Sequence, residues 1–150
     1  MRKQDTLKVS DNQRRTISTT LIMLDEMLCE FDRIAAGQET RSIMYAEKNS
    51  LSAKQKAQLR GIMTTMREII RQIKERLSLE TEEVNLANRI WSSASAFWEV
   101  LIETKSERLK GYGTITPSLA DFINPKIDEL IKHLTGIVET MNTSALGKKK

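Results

Sequence analysis

Apolar residues recur at alternating steps of three and four along most of this chain, and the clearest run lies between Val84 and Leu109. This spacing is typical of a helix that packs along one side. The run contains both tryptophans of the chain, so it predicts a helix around which the other apolar stripes close. The stripe consists of Val84, Ala87, Trp91, Ala94, Trp98 and Leu101, widened by Ile90, Phe97 and Ile102.

Two capping boxes predict where the first two long helices begin. Ser10 with Gln13, and Ser52 with Gln55, have the S-x-x-Q spacing in which each side chain bonds the backbone N–H of the other residue. Gly37 is placed to end the first helix, because glycine readily adopts the left-handed conformation found there. The predicted helices cover about 11–36 and 52–79.

The second half of the chain predicts two further helices. Thr81 is a candidate cap for helix 3, which continues to about Lys110. Helix 4 is preceded by a short helix that begins at Pro117. Pro125 ends that short helix or kinks it, because proline has no N–H for the helical hydrogen bond. Asn124 is a candidate cap for the part that follows.

No segment has the alternating pattern of a strand, so the fold prediction is all-α: an antiparallel, up-down-up-down four-helix bundle. We expect one domain over 10–143, with flexible basic tails at 1–9 and 144–150. The connection at 38–50 is long for a bundle. Its apolar residues Ile43, Met44 and Tyr45 either cover one end of the core, which is the favoured interpretation, or serve a function.

Composition narrows the class of protein. The first residues are polar and lack the apolar core of a signal peptide. The most apolar run, 90–102, is too short to span a bilayer. A single cysteine, Cys29, excludes an internal disulfide and a cysteine-based zinc site. These features predict a soluble, cytoplasmic protein that is not associated with a membrane.

Signatures of catalysis are weak. His133 is the only histidine, and a surface pair with Glu129 explains it more simply than a catalytic base. Glu99 and Glu103 point away from the predicted stripe, whereas an all-carboxylate magnesium site needs carboxylates that face inward. We therefore expect no catalytic residue, no metal and no cofactor. A metal-dependent enzyme with an all-carboxylate site remains an alternative.

Charge is concentrated on helix 2. Residues 51–79 hold seven basic and two acidic side chains, whereas each of the other predicted helices is net acidic. Within helix 2 we expect an outward basic stripe of Arg60, Arg67, Arg71 and Lys74. Salt bridges to the acidic helices, together with solvation, are the favoured interpretation. The alternative is a site for an anionic partner, including nucleic acid bound through its phosphates.

Two smaller sets of residues suggest contacts. Ile22, Met23 and Cys29 lie off the stripe of helix 1 and are candidates for an oligomer contact, so a dimer is one expectation. The small residues between Trp91 and Trp98, including Ser95, either allow close helix packing or leave a small-molecule pocket. The favoured overall function is a non-enzymatic interaction or regulatory module with a protein partner or self-association. A nucleic-acid-binding accessory protein is the second hypothesis.

Overall fold

The computed structural model describes the backbone of residues 6–147 and the side chains of residues 6–142. In that part of the chain the regular structure is helical, apart from one isolated antiparallel bridge between Arg41 and Ala46. The predicted all-α class is therefore confirmed. The helices are α1 (Asp11–Ala35), α2 (Ala53–Arg76), α3 (Leu86–Ile102), α4 (Ser106–Leu109) and α5 (Pro117–Gly147), with a 3₁₀ turn at Lys110–Tyr112.

The chain divides into two compact units between Glu82 and Glu83. The first contains α1 and α2, and the second contains α3, α4 and α5. The single domain expected over 10–143 stays a prediction. Of the predicted tails, 1–5 and 148–150 lie outside the described residues. Leu7 donates a backbone hydrogen bond to Arg76 (3.0 Å), and α5 extends to Gly147.

The first unit is an antiparallel pair of helices whose first residues follow the sequence prediction, whereas α2 ends at Arg76 and not at the predicted Leu79. Both capping boxes are formed, because each cap serine accepts from the backbone N–H of the glutamine three residues later. Gly37 has a φ of 83°, the left-handed conformation expected after the last turn of α1. The buried core of the pair consists of Leu28, Ala35 and Met63, surrounded by the partly buried Phe31, Leu59, Met66 and Ile70.

Helix 3 begins later and ends earlier than the sequence indicates. Asn85, not Thr81, caps α3, and its side chain accepts from the N–H groups of Ala87 and Asn88. The Thr81 hydroxyl instead accepts from Lys74. Asparagine is a stronger cap than threonine, which accounts for the choice of start. After Ile102 the helix is interrupted, and α4 is a separate turn.

Helix α5 runs through Pro125, so the predicted end of a separate short helix at this residue is wrong, whereas the alternative, a kink at Pro125, stays a prediction. Asn124 does not cap a new helix. Its side chain accepts from the Ser106 N–H (2.9 Å) and donates to the Ser106 hydroxyl (2.8 Å), which ties α4 to α5. Lys105 adds an ion pair with Asp128 at 2.6 Å.

The predicted central stripe of helix 3 is only partly buried. Ala94 is buried, whereas Trp98 is 44% exposed and Trp91 is exposed to a similar degree. The prediction that the largest rings form the centre of the core is therefore wrong. A small residue, Ala94, is the buried one on α3 and allows α3 and α5 to approach closely.

Candidate interaction surfaces

The connection between α1 and α2 is a braced hairpin. Thr40 and Glu47 form a backbone hydrogen bond of 2.8 Å, and the Ser42 N–H donates to the Tyr45 carbonyl at 2.9 Å. Asn49 fastens the returning segment to the end of α1, because its side-chain amide donates to the Ile34 carbonyl (2.6 Å). These bonds give the connection a defined shape without any regular secondary structure.

Glu47 connects the hairpin to α1 electrostatically. Its carboxylate forms two hydrogen bonds with Arg33, at 2.9 and 3.3 Å, and accepts a third from the Thr40 N–H at 2.8 Å. Hydrogen bonding to Arg33, followed by that to the Thr40 backbone, lowers the pKa of Glu47 to about 2. Arg33 also binds Glu30, which lowers the pKa of Glu30.

The end of this hairpin presents two large apolar side chains to solvent, Ile43 and Met44, which we call the loop tip. Ile43 is 96% exposed and Met44 is 90% exposed, and the neighbouring Tyr45 is also exposed. The interpretation that these residues cover the core is therefore wrong. Arg41 and Lys48 flank the loop tip, and neither forms an ion pair with a described residue.

Two members of the predicted basic stripe do not point away from the helix pair. Arg60 donates to the Ala35 carbonyl at 3.1 Å, at the end of α1. Arg67 forms an ion pair with Asp32, which raises the pKa of Arg67, and it also donates to the Leu28 carbonyl at 3.4 Å. The outward placement predicted for these two is wrong. The ion pair between Arg67 and Asp32 joins the basic α2 to the net acidic α1, which is the kind of salt bridge that we predict from the charge pattern.

The other two members lie toward the end of α2. Arg71 is exposed and pairs with Glu68 on its own helix at 3.4 Å. Lys74 donates to Thr81 at 2.5 Å. The four side chains are therefore directed to four different partners and do not form one free cationic row. Binding of an anionic partner by this stripe stays a prediction.

The candidate oligomer contact on α1 is divided between two environments. Met23 and Cys29 are exposed, whereas Ile22 is half-buried. Ile22 lines a cleft of about 660 Å³ between α1 and residues 78–82. The structure thus supports solvent access for two of the three residues, and the contact itself stays a prediction.

The candidate pocket near the tryptophans is a cleft of about 160 Å³ between α3 and α5. Ser95 and Trp98 line it, but Trp91 is not among its lining residues, so the predicted placement between the two rings is not observed. The remaining walls come from Ala94, Leu134, Thr135 and Val138. Among the residues that line this cleft, Ser95 and Thr135 have polar side chains, each with one hydroxyl group.

Sequence reasoning missed a second apolar stripe on α3. It has the same steps of three and four as the predicted one, and all its members are exposed. We call it the outer stripe, and it consists of Leu86, Ile90, Ser93, Phe97 and Val100. The signal was present in the sequence, since Ile90 and Phe97 are three and four residues from Ser93 and were assigned to the edge of the first stripe.

Among residues 6–147, no group of three His, Cys, Asp or Glu side chains is placed to hold a metal ion. Over the same residues, every helix falls short of the length and apolar character that crossing a bilayer requires. A comparison with protein-family models, curated proteins and solved structures gave no match.

Proposed function

We propose that this chain is an interaction module that docks into an apolar pocket of a protein partner through the loop tip. The observation that carries the proposal is the exposure of Ile43 (96%) and Met44 (90%) on a hairpin held by side-chain hydrogen bonds. Adjacent large apolar side chains exposed on a fixed support are typical of binding anchors rather than of ordinary surface.

The hydrogen bonds that hold the hairpin favour binding, because they reduce the entropic cost of association. A loop that already has its bound shape loses less conformational freedom when a partner immobilises it. Glu47 and Asn49 make their contacts to α1 and to the hairpin backbone, and neither contact uses Ile43 or Met44. The loop tip is therefore available for a partner while the support stays intact.

Charge indicates the chemistry of the partner. Arg41 and Lys48 stand on either side of the loop tip without an ion pair to a described residue. An apolar pocket with acidic side chains at its rim would complement both features. Rim charges act mainly on the association rate, so we expect binding to accelerate at low ionic strength.

Capture with three forms of the chain tests the proposal: wild type, the loop-tip variant Ile43→Ser with Met44→Ser, and Met23→Ser as the control. Met23 is 66% exposed in the same unit, so the control removes an exposed methionine elsewhere. A purified partner is then titrated against each form. We expect at least about 100-fold weaker binding for the loop-tip variant, because each buried side chain of this size contributes about 1.5–3 kcal/mol.

Equal affinity for the three forms would contradict the proposal. A second arm measures co-sedimentation with vesicles of phosphatidylcholine and phosphatidylserine. If binding to vesicles depends on Ile43 and Met44 and no protein binds through them, the target of the loop tip is a lipid surface and not a protein pocket.

The finer arrangement of the helices is part of the proposal. The antiparallel pair of the first unit has exposed apolar side chains, including Ile62 and Ile69 on α2. Cover by a second pair of helices would give the antiparallel four-helix bundle predicted from the sequence. Nucleic-acid binding by the basic stripe and a metal-dependent activity stay predictions. Retention of duplex or single-stranded nucleic acid at low salt is the measurement for the first.

A further inference from the structure

The outer stripe of α3 carries four large apolar side chains and one serine, Ser93, at positions with the spacing of a coiled-coil seam. Its positions are separated by steps of four, three, four and three, and no charged side chain falls within it. Leu86, Ile90, Phe97 and Val100 are between 46% and 63% exposed, and Ser93, at the centre, is exposed as well. Helices with this seam bury it against another helix with the same spacing.

The outer stripe is separate from the surface that α3 uses to contact α5. At 3.6 residues per turn its mean direction is rotated by about 90° from the packed side that contains Ala94. On α5, Leu130 and Ile137 are likewise rotated by about 70° from the packed Ile127, Leu134 and Val138. The rotation has the same sense on both helices.

The two helices are antiparallel, as their contacts show. Residues that follow α3, namely Lys105 and the first residue of α4, Ser106, meet the early part of α5 in the pairs Lys105–Asp128 and Ser106–Asn124. Ala94 and Trp98 meet the later part of α5, around Leu134 and Val138. In antiparallel helices, rotations of the same sense place both exposed stripes on one side of the pair.

The exposed apolar area on this side of the α3–α5 pair matches that of a small but specific interface. Six half-exposed side chains, four from α3 and two from α5, contribute roughly 100 Å² each, or about 600 Å² in one copy. Two such surfaces would remove about 1,200 Å² from water, which is the lower end of the range for stable interfaces. A patch of about 600 Å² is also as large as the largest apolar patch on a typical monomer.

We propose that the occupant of this surface is the same surface of a second copy, with the two α3 helices antiparallel about a two-fold axis at Ser93. The outer stripe is nearly symmetric about Ser93. In that register Ile90 faces the partner's Phe97, and Leu86 faces the partner's Val100. The Phe97 ring then meets the smaller Ile90, the aliphatic Leu86 meets Val100, and the small serine at the axis allows close approach. This proposal goes beyond the loop-tip function and uses a different surface.

Antiparallel pairing also suits the rest of α3. The positive end of each helix dipole would lie beside the negative end of the other, which is a favourable arrangement. The packed side of α3, including Ala94, remains in contact with α5 in each copy. The dimer therefore adds an interface without removing one that the structure contains.

Cysteine cross-linking tests the register. In a Cys29→Ser background, Ser93→Cys places two thiols at the axis, whereas the matched control Ser92→Cys changes the adjacent exposed serine outside the outer stripe. Under mild oxidation we expect at least about tenfold more disulfide-linked dimer from Ser93→Cys, because the bond needs short and specific separations between the two residues. Equal cross-linking of the two variants would overturn the register.

Sedimentation equilibrium tests the dimer itself. We expect wild type to dimerise reversibly at micromolar concentration, and Phe97→Asp to weaken the dimer at least about 100-fold, because the interface would bury an unpaired charge. Ser92→Asp, with the same charge outside the stripe, should dimerise like wild type. A wild type that stays monomeric into the submillimolar range overturns the proposal.

A third form separates this proposal from the loop-tip function. The Ile43→Ser, Met44→Ser variant should keep the wild-type dimer constant. Loss of the dimer in that variant, with Phe97→Asp unaffected, would assign self-association to the loop tip and refute pairing through α3. Far-UV circular dichroism on every variant establishes that the helices are retained.

Discussion

Truncation of Leu28 to alanine is the sharpest test of how the first unit is held together. Leu28 is 1% exposed and is one of three residues in the buried core, with Ala35 and Met63. Deletion of a buried leucine side chain generally lowers the free energy of unfolding by about 2.7–5 kcal/mol, through lost burial and the cavity left behind. The surrounding Phe31 and Leu59 are only partly buried and can relax, so we expect about 2–4 kcal/mol.

The control is Met23→Ala on the same helix. Met23 is 66% exposed, so its truncation should change the free energy of unfolding by less than about 0.5 kcal/mol. Urea denaturation followed by far-UV circular dichroism measures both variants. A loss of about 3 kcal/mol lowers the midpoint by about 1–3 M, given the usual slopes.

A second signal in the same experiment addresses the single-domain prediction. Both tryptophans lie on α3 in the second unit. If residues 10–143 unfold as one domain, Leu28→Ala shifts the fluorescence transition together with the circular dichroism transition. If the units unfold separately, the fluorescence transition keeps the wild-type midpoint.

A cost for Leu28→Ala that equals that of Met23→Ala would refute the assignment of the core.

Glu47→Gln should accelerate hydrogen exchange at the Thr40 amide, because a neutral side chain is a weaker acceptor. In wild type the pKa of Glu47 is lowered from 4.5 to about 2; protection of that amide, followed by NMR, should therefore persist as pH falls below 4.5 and be lost near 2. Arg67→Met should lower the midpoint of urea unfolding only slightly, since solvent screens an ion pair whose aspartate partner on α1 is 47% exposed. Asn124→Ala leaves the buried Ser106 without its partner, and tryptophan fluorescence should report a loss of about 1–3 kcal/mol.

Local signals in the sequence predicted the local features of the fold. The two capping boxes and the glycine after α1 involve residues at most a few positions apart, so their chemistry is readable from spacing alone. The interruption after α3 is different. It is accompanied by the hydrogen bonds between Ser106 and Asn124, which are 18 residues apart, and no local pattern reports such a pair.

The surfaces were harder to predict than the helices. On α3 two stripes share one period, and the period alone does not say which stripe packs inside the unit. Ring size favours the stripe with the tryptophans as the buried one, but only its alanine, Ala94, is buried. For the basic stripe, the net charges of the first two helices indicated attraction, but only the structure shows that Arg60 and Arg67 reach back to α1. The apolar character of the loop tip is evident from the sequence, but its exposure to solvent is visible only in the structure.

The hydrogen bonds that hold the hairpin between α1 and α2 leave the residues of the loop tip free to be exchanged. Side chains that hold the hairpin belong to Arg33, Glu39, Glu47 and Asn49, and the bonds within 42–45 are made by the backbone. Substitutions at 43 and 44 therefore change the side chains that the loop tip presents to a partner without altering the hydrogen bonds that hold the hairpin. Such a loop can acquire a new specificity in a single step, and it can be randomised as a library on a fixed scaffold.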